Sequence, residues 1–502
     1  MKQKILLVAL LLGLLVACDD VLDKTPYTSV PTETLFEDIE GANIALVGVY
    51  NSLSNADYYG RLMYAFEGSK GPDFYVEDTG NRFQEENGYR ESSTLDAYAN
   101  NAWDQIYSVV MLCNNILHYI ELIDADADEI AAVKGQALAL RGLAYFDLMR
   151  LFAYPPTFSI PGGENYDDKY KWGVPLMISK EDNDEAVDTP PARSDAQTCY
   201  QQIVTDLQGA TVNLDGFSNG TYFISGRTAN ALLARVYLYM GEWDNAIAVG
   251  EQALGGNSML YYDDFTTKYY IPLNSENLWE LGYSSTDNLG SNSLNSLVRN
   301  PTIDEPGNPD DGEIAEDVGY AGYGGNVYLR AVLNEVDGDV RQYLICNSEL
   351  GDDTGIRKYI GEGAHAVHNI YMVRLPEIYL TLAEAYAEQG TDFGKAEEYM
   401  NNVYEARTNM AYTAPATTDL LIADILKERR KELVLEGHTF WDHFRRAIPF
   451  DREPEGNVSS DVAYIDYTQP QVVYPIPMNE MEANPNIRDQ QNPGYAPYVA
   501  GE

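Results

Sequence analysis

Apolar residues recur along most of this chain at three- and four-residue steps, the period of a helix buried on one face. The pattern begins near Thr34 and runs through Phe36, Ile39, Ile44, Val47 and Tyr50. It returns at Trp103, Ile106, Tyr107, Val110 and Ile116. It is densest from Ala132 to Phe152, where Ala137, Ala139, Leu140, Ala144, Tyr145 and Leu148 carry it and Pro155 and Pro156 stop it. Ser194 reads as the cap of another helix that places Tyr200, Ile203, Leu207 and Ala210 on one face.

Two later stretches share one design. Ala234, Tyr237 and Gly241 are followed by Trp243, Ala246 and Ala253; Ala383, Tyr386 and Gly390, at the same steps, are followed by Phe393 and Ala396. A small residue, an aromatic, a turn glycine and an Ala-rich second helix predict tetratricopeptide-like helical hairpins. The small residues let two helices approach closely, and the glycine ends the first one. Ala137–Tyr154 and Ile425–Arg446 read as further, degenerate hairpins. The expected fold is mainly α, a hairpin scaffold carrying large irregular insertions.

The periodic stretches are interrupted twice. Residues 54–95 are rich in Gly, Asn, Asp and Tyr, and residues 255–370 in Gly, Asn, Asp, Ser and Tyr, with short apolar runs such as Leu278 to Tyr283 that suit short strands. Long aperiodic stretches inside one domain are usually functional. Both are therefore expected to face a ligand. A single domain over 34–502 is expected, after a leader at 1–17 and a tether at 18–33.

The N-terminus adds a location. Lys2 and Lys4 precede an apolar run from Ile5 to Val16, too short to span a bilayer, and small residues lead to Cys18. That order is an export signal ending in a lipobox, with Cys18 as the acylated first mature residue. More than one acyl chain gives stable anchoring. The formal charge is −45, from 78 acidic and 33 basic residues. Such a surface repels phosphate backbones, so nucleic acid is not an expected partner. Apart from Cys18, the cysteines are Cys113, Cys199 and Cys346, whose number and spacing suit neither a disulfide framework nor a zinc site. They are expected to be small buried apolar residues.

Catalytic constellations are not evident. His365 and His368 lie three apart without a zincin glutamate, and Gly322, Gly324 and Gly325 lack the strand and helix of a dinucleotide fingerprint. Glu428, Glu432 and Glu436 line one helix near Arg429, Arg430, Arg445 and Arg446, which reads as a charged face held by ion pairs rather than an acid and a base. No catalytic residue, metal site or cofactor is expected. What stands out is tyrosine, 39 residues, together with amide side chains in the aperiodic segments. Tyrosine offers an apolar face and a polar rim, which suits sugar rings with their C–H faces and hydroxyl edges. Helix tyrosines such as Tyr145 and Tyr237 are already committed to packing. The candidate ligand residues are Tyr75, Arg82, Asn87 and Tyr89 from the first segment and Asn288, Tyr320, Tyr323 and Asn326 from the second. This choice requires the fold to bring the two segments together.

Several runs resemble one family in order along the chain. They are Trp103, Tyr107, Asn114 and Ile116; Arg141 through Phe152; Pro191, Arg193 and Ser194 with Tyr200, Ile203, Asp206 and Leu207; and Gly226, Arg227 and Thr228. Then follow Arg374, Leu375, Glu377, Tyr379, Ala383, Glu384 and Ala385; Glu428, Arg429, Arg430, Glu432, Leu433, Glu436, Gly437, Asp442 and Arg445; and the ending Tyr474–Pro477, Glu480, Asn484, Pro485 and Gln491–Tyr495. The chain resembles the SusD/RagB family, surface lipoproteins of Bacteroidota that bind nutrients for uptake. The resemblance implies a non-catalytic protein on the cell surface, anchored in the outer membrane by lipid. It implies a partner, a SusC-like TonB-dependent barrel transporter, and an oligosaccharide ligand or, in some branches, a peptide. Asp19 and Asp20 after Cys18 resemble the surface-export signal of such lipoproteins. A surface glycosidase is the remaining alternative. The matched residues are scaffold residues, so no ligand contact is carried over by motif.

Overall fold

In the computed structural model of the chain, the described residues are 32–499 apart from 78–80, 95–96, 300–301, 304–312, 315–319, 321, 349–350, 352, 360–366 and 453–459. The leader at 1–17, Cys18, nearly all of the tether and His365 lie outside the described residues. Two helices, α1 (Ile39–Leu53) and α2 (Leu62–Lys70), precede a strand β1 (Phe74–Val76). The long helices α3 (Ala97–Tyr119), α4 (Ala127–Phe152) and α5 (Ala196–Asn213) follow, then the hairpin of α6 (Gly226–Met240) and α7 (Trp243–Ala253). Strands β2 (Asn277–Leu281) and β3 (Tyr323–Gly325), helix α8 (Val327–Leu333) and strand β4 (Ile370–Arg374) lie in the large insertion and at its end. The hairpin of α9 (Leu375–Gln389) and α10 (Phe393–Thr408), then α11 (Thr418–Glu432) and α12 (Thr439–Arg445), complete the scaffold.

Local chemistry explains where these helices start and stop. Asp38, Asp126, Ser225, Asp392 and Thr417 accept backbone N–H bonds at the first turns of α1, α4, α6, α10 and α11. At α5 the cap is Asp195, which accepts from the Thr198 N–H at 2.8 Å, one residue beyond the Ser194 expected from the sequence. Gly241 and Gly390 end α6 and α9 in the left-handed conformation, both at φ +71°. Each helix then packs on its neighbours in series: α3 on α4, α4 on α5, α5 on α6, α6 on α7, α7 on α9, and α9 on α10 and α11. The second half of α4 is the stretch read as a degenerate hairpin; it is one uninterrupted helix between α3 and α5. Cys113, Cys199 and Cys346 are buried, and no disulfide joins them. Among the described residues no helix is long and apolar enough to cross a membrane.

The small residues of the two hairpins lie in helix seams. Ala234 and Ala383 are buried, and a Cβ added to Gly250 of α7 would sit 2.9 Å from Leu382 Cδ2 and 3.7 Å from the Ala234 Cβ. Ala234→Leu or Ala383→Leu is expected to cost about 1–3 kcal/mol by overpacking these seams. A denaturation midpoint that does not move would remove both residues from the seams.

The segment 54–95 departs from expectation. Its aperiodicity suggested an irregular surface, yet every residue of α2 is buried. A helix surrounded on all sides has no polar face and therefore no amphipathic period. One wall around it is the turn before α12. The Glu67 carboxylate of α2 accepts the Gly437 and Thr439 backbone N–H groups, each at 2.8 Å. Burial pushes the Glu67 carboxyl up to about 7 against the pull of those two donors. A carboxyl raised in the folded state favours folding most when protonated. Its contribution is full below pH ~4.5, falls as pH rises to about 7, and is flat above that. Glu67→Gln is expected to flatten the stability profile in that window, as read by denaturant midpoints at pH 5 and pH 8. An unchanged difference between the two pH values would remove Glu67 from the account.

Candidate functional site

Two short ribbons attach the insertion to the scaffold. β2 pairs antiparallel with β4, which runs directly into α9. β1 pairs antiparallel with β3, setting Phe74 opposite Gly325, Tyr75 opposite Gly324 and Val76 opposite Tyr323. The glycine at 324 is required, because a Cβ there would lie 2.5 Å from the Tyr75 ring. The 284–292 loop comes down over the 54–61 turn in the same way. A Cβ on Gly60 would lie 2.5 Å from Leu289 Cδ1. The fold thus brings together the two segments that the sequence separates.

It does not use all eight candidate residues on the surface. Tyr75 is buried, with the Arg299 guanidinium 5.4 Å from its ring centre. Tyr89 is buried and donates its hydroxyl to the Lys70 carbonyl at 2.7 Å. Tyr323 is buried, its hydroxyl 2.6 Å from Ser69 Oγ. Asn87 is buried and accepts from Arg452 at 2.6 Å. Asn326 is buried, caps α8 through the Tyr328 and Leu329 N–H groups, and donates to the Pro72 carbonyl at 2.7 Å. These five lie in the interior: Tyr75 and Tyr323 on the β1–β3 ribbon, and Asn87, Tyr89 and Asn326 held there by their bonds to Arg452, Lys70 and Pro72. The exposed Asn288 folds its amide back onto the Ser284 and Ser285 carbonyls and so shapes its own loop. Arg82 and Tyr320 remain half-buried at the surface.

Around those two lies a polar and aromatic rim. The Arg82 guanidinium sits 3.8 Å from the centre of the Tyr320 ring, and its hydrogen bond to the phenol draws the Tyr320 pKa below the ordinary value. Asn292 Oδ1 accepts from Arg82 at 3.2 Å and from Arg61 at 3.3 Å. Arg61 also reaches Asp57 at 3.4 Å and lies 5.6 Å from the Tyr98 and Phe83 rings. Tyr98 stacks on Phe83, centroids 4.0 Å apart and planes within 6°. Asn101, one helical turn on from Tyr98, donates to Asp57 at 3.4 Å. The backbone beneath is strained: Asn81 and Phe83 hold left-handed φ of +55° and +51°. A bulky residue in that region costs energy and persists only where its surroundings fix it, as at ligand clamps. Gln84 helps fix it, donating to the Glu77 and Arg82 carbonyls at 3.0 and 3.2 Å.

Half-buried tyrosine rings beside guanidinium, amide and carboxylate groups can meet both the apolar faces and the hydroxyl edges of a sugar. Reading the sequence for irregular segments missed Tyr98, Asn101, Asp57, Arg61 and Asn292. Tyr98 and Asn101 sit in the first two turns of α3 and look like ordinary helix surface. The available signal was their place beside the start of the buried face of α3, which runs through Ala99, Ala102 and Trp103.

A family model described as starch-binding and associating with the outer membrane matches residues 20–238. The model of the SusD family matches residues 355–495. A SusD-like protein of Formosa agariphila is 25% identical, in an alignment covering 98% of this chain and 100% of the relative. A SusD superfamily structure from Bacteroides thetaiotaomicron matches with a TM-score of 0.79 at 28% identity, covering 91% of this chain and 100% of that one. A laminarin-binding SusD-like protein shares the fold, with a TM-score of 0.70 at 22% identity, covering 91% of this chain and 100% of that one.

Proposed function

The chain belongs to the SusD/RagB family, and on that premise we propose that it binds a nutrient oligosaccharide at the Tyr98–Arg82–Tyr320 rim without turning it over. Proteins of this family bind carbohydrate and are associated with the outer membrane. One observation carries the reading: the fold gathers two tyrosines, two arginines and two asparagines from residues 57–101 and 288–320 onto one rim. The bound sugar is then handed to a SusC-like TonB-dependent barrel transporter. Diacylation of Cys18 anchors the protein in the outer membrane. The family resemblance and the lipobox spacing support these last two steps.

Calorimetry with maltoheptaose, laminarihexaose, xylohexaose and a lysine-rich peptide tests the ligand class. Saturable binding of at least one saccharide is expected, with no new reducing ends after long incubation. Binding of the peptide alone would replace the saccharide reading with the peptide-binding one. Steady release of reducing ends by pure protein would make it a glycosidase. For the anchor, Cys18→Ala is expected to move the protein from the membrane to the soluble fraction.

A further inference from the structure

A second cleft, of about 570 Å³, opens where several helix ends meet and shares no residue with the rim. Its walls are the end of α6 with the Gly241 turn, the 156–164 turn after α4, the first turns of α5, and the end of α12 facing α9. That volume falls in the range of roughly 300–1,000 Å³ typical of small-molecule sites. The lining says what kind of molecule would fit.

Trp243 stands half-buried on one wall. The left-handed Gly241 carries no side chain between the turn and the indole, whose nearest carbon would lie 3.5 Å from a Cβ there. Opposite are Gln197 and Gln201, exposed and one helical turn apart on α5. Neither side-chain amide hydrogen-bonds another described residue. A third wall holds Arg446, fixed by Glu384 at 3.0 Å and by Glu388, with the Arg446 and Glu388 side chains each still 20% exposed. Tyr239 lines the cleft, and its hydroxyl has no hydrogen-bond partner among the described residues.

We propose that this cleft is a second saccharide subsite, independent of the rim, with Trp243 as the stacking face and Gln197, Gln201, Arg446 and Glu388 as the hydrogen-bonding set. An indole face takes the C–H side of a sugar ring, and amide, guanidinium and carboxylate groups offer in-plane donors and acceptors to its hydroxyls. The sugar is neutral. The cleft's cations, Arg445 and Arg446, are already paired with Glu384, while Glu164 and Glu242 add negative charge that would repel a uronate or sulfate.

Tryptophan emission separates this site from the rim. Of the five tryptophans, Trp103, Trp279 and Trp441 are buried, Trp172 and Trp243 are half-buried, and the rim contains none. The probes are glucose, galactose, mannose, xylose and maltotriose, each titrated on the full chain to tens of millimolar. At least one is expected to give a saturable change in emission that survives Trp172→Phe and Tyr320→Ala and is lost in Trp243→Phe. Gln201→Ala removes an exposed side chain with no internal bond and is expected to raise the half-saturation concentration by about tenfold, the effect of one hydrogen bond to a ligand. No change with any of the sugars, a change that persists in Trp243→Phe, a change lost in Tyr320→Ala, or an unaltered Gln201→Ala titration would each overturn the proposal. The rim fails separately, through calorimetry that Tyr320→Ala leaves unchanged.

Discussion

Glu432→Ala is expected to cost about 3–5 kcal/mol of stability, the usual effect of removing one partner from a buried charge network. Glu432 lies at the centre of such a network. Its carboxylate accepts from Arg374 at 3.0 Å, from Arg407 at 2.9 and 3.0 Å, and from Arg341 at 3.3 Å. Burial alone would raise its pKa, but Arg407, Arg374 and Arg341 outweigh burial and hold it well below the ordinary carboxylate range. Around it Glu436 binds Arg374 and Lys358, Glu276 binds Arg374 and Arg407, and Arg341 also binds Asp339 and Glu428. Glu276, Asp339, Arg341 and Lys358 come from the large insertion, and Arg407, Glu428 and Glu432 from the C-terminal helices. Glu436, expected on the same helix as Glu428 and Glu432, comes from the turn after α11, which ends at Glu432. Arg374, at the end of β4, joins the two sets.

Alanine at 432 therefore leaves three guanidinium groups sharing too little negative charge in a dry interior. Urea denaturation should show the loss as a lower midpoint at unchanged slope. Limited proteolysis should then cut the 255–370 segment first, because its clasp is what the substitution opens. Glu398→Ala, which removes an exposed pair with Lys395, should change stability by less than about 1 kcal/mol. If Glu432→Ala matches that control, the network does not hold the insertion in place.

The largest effect on binding is expected at the rim. Tyr320→Ala should weaken oligosaccharide binding about tenfold, since aromatic contact is worth ~0.5–1.5 kcal/mol beyond buried area and each 1.4 kcal/mol is a decade. Arg82→Ala should weaken it at least as much. It removes a charged donor, worth about 1.5–3 kcal/mol in a hydrogen bond, and also the group that holds Tyr320 and Asn292 in place. The informative contrast is Tyr323→Phe. It deletes only the hydroxyl that bonds Ser69 in the interior, so stability should fall by about 0.5–1.5 kcal/mol while affinity stays unchanged. Calorimetry on the three variants with one bound saccharide decides the matter. Loss of affinity in Tyr323→Phe together with parental binding in Tyr320→Ala would move the site off the rim.

How much of this was legible beforehand differs between scaffold and site. Helix α3 could be read in the sequence because it buries a stripe, which leaves a period of 3.6. Helices α4, α6 and α9, buried on nearly every face over much of their length, could be read from long runs rich in Ala and Leu that end at Pro or Gly. The turn glycines at 241 and 390 could be read because a left-handed position strongly favours glycine. α2 could not be read, since it is buried all round like the later turns of α4 but is only 9 residues long and ends in Gly68, Ser69 and Lys70, too short to show either a period or an Ala- and Leu-rich run. The acidic stripe Glu428, Glu432 and Glu436 was legible as ion-paired but not as buried. Of the four arginines beside it in sequence, Arg429 and Arg445 pair with Asp442, Arg430 with Asp73, and Arg446 with Glu384 and Glu388. The partners of the stripe itself come from Arg341, Lys358, Arg374, Arg407 and Lys431.

For the proposed site, the sequence by itself offered the residue types and two of the contributing segments, but not α3, which adds Tyr98 and Asn101. Tertiary structure alone decided which side chains reach the surface. The β1–β3 ribbon is covered on both faces, so Tyr75 and Tyr323, which point to opposite sides of it, are both buried. Register is set by a long-range pairing, Tyr75 against Gly324, that no local pattern encodes. That pairing buries Tyr75 and Tyr323. It leaves Arg82 and Tyr320 at the edge, where Tyr98 and Asn101 of α3 meet them.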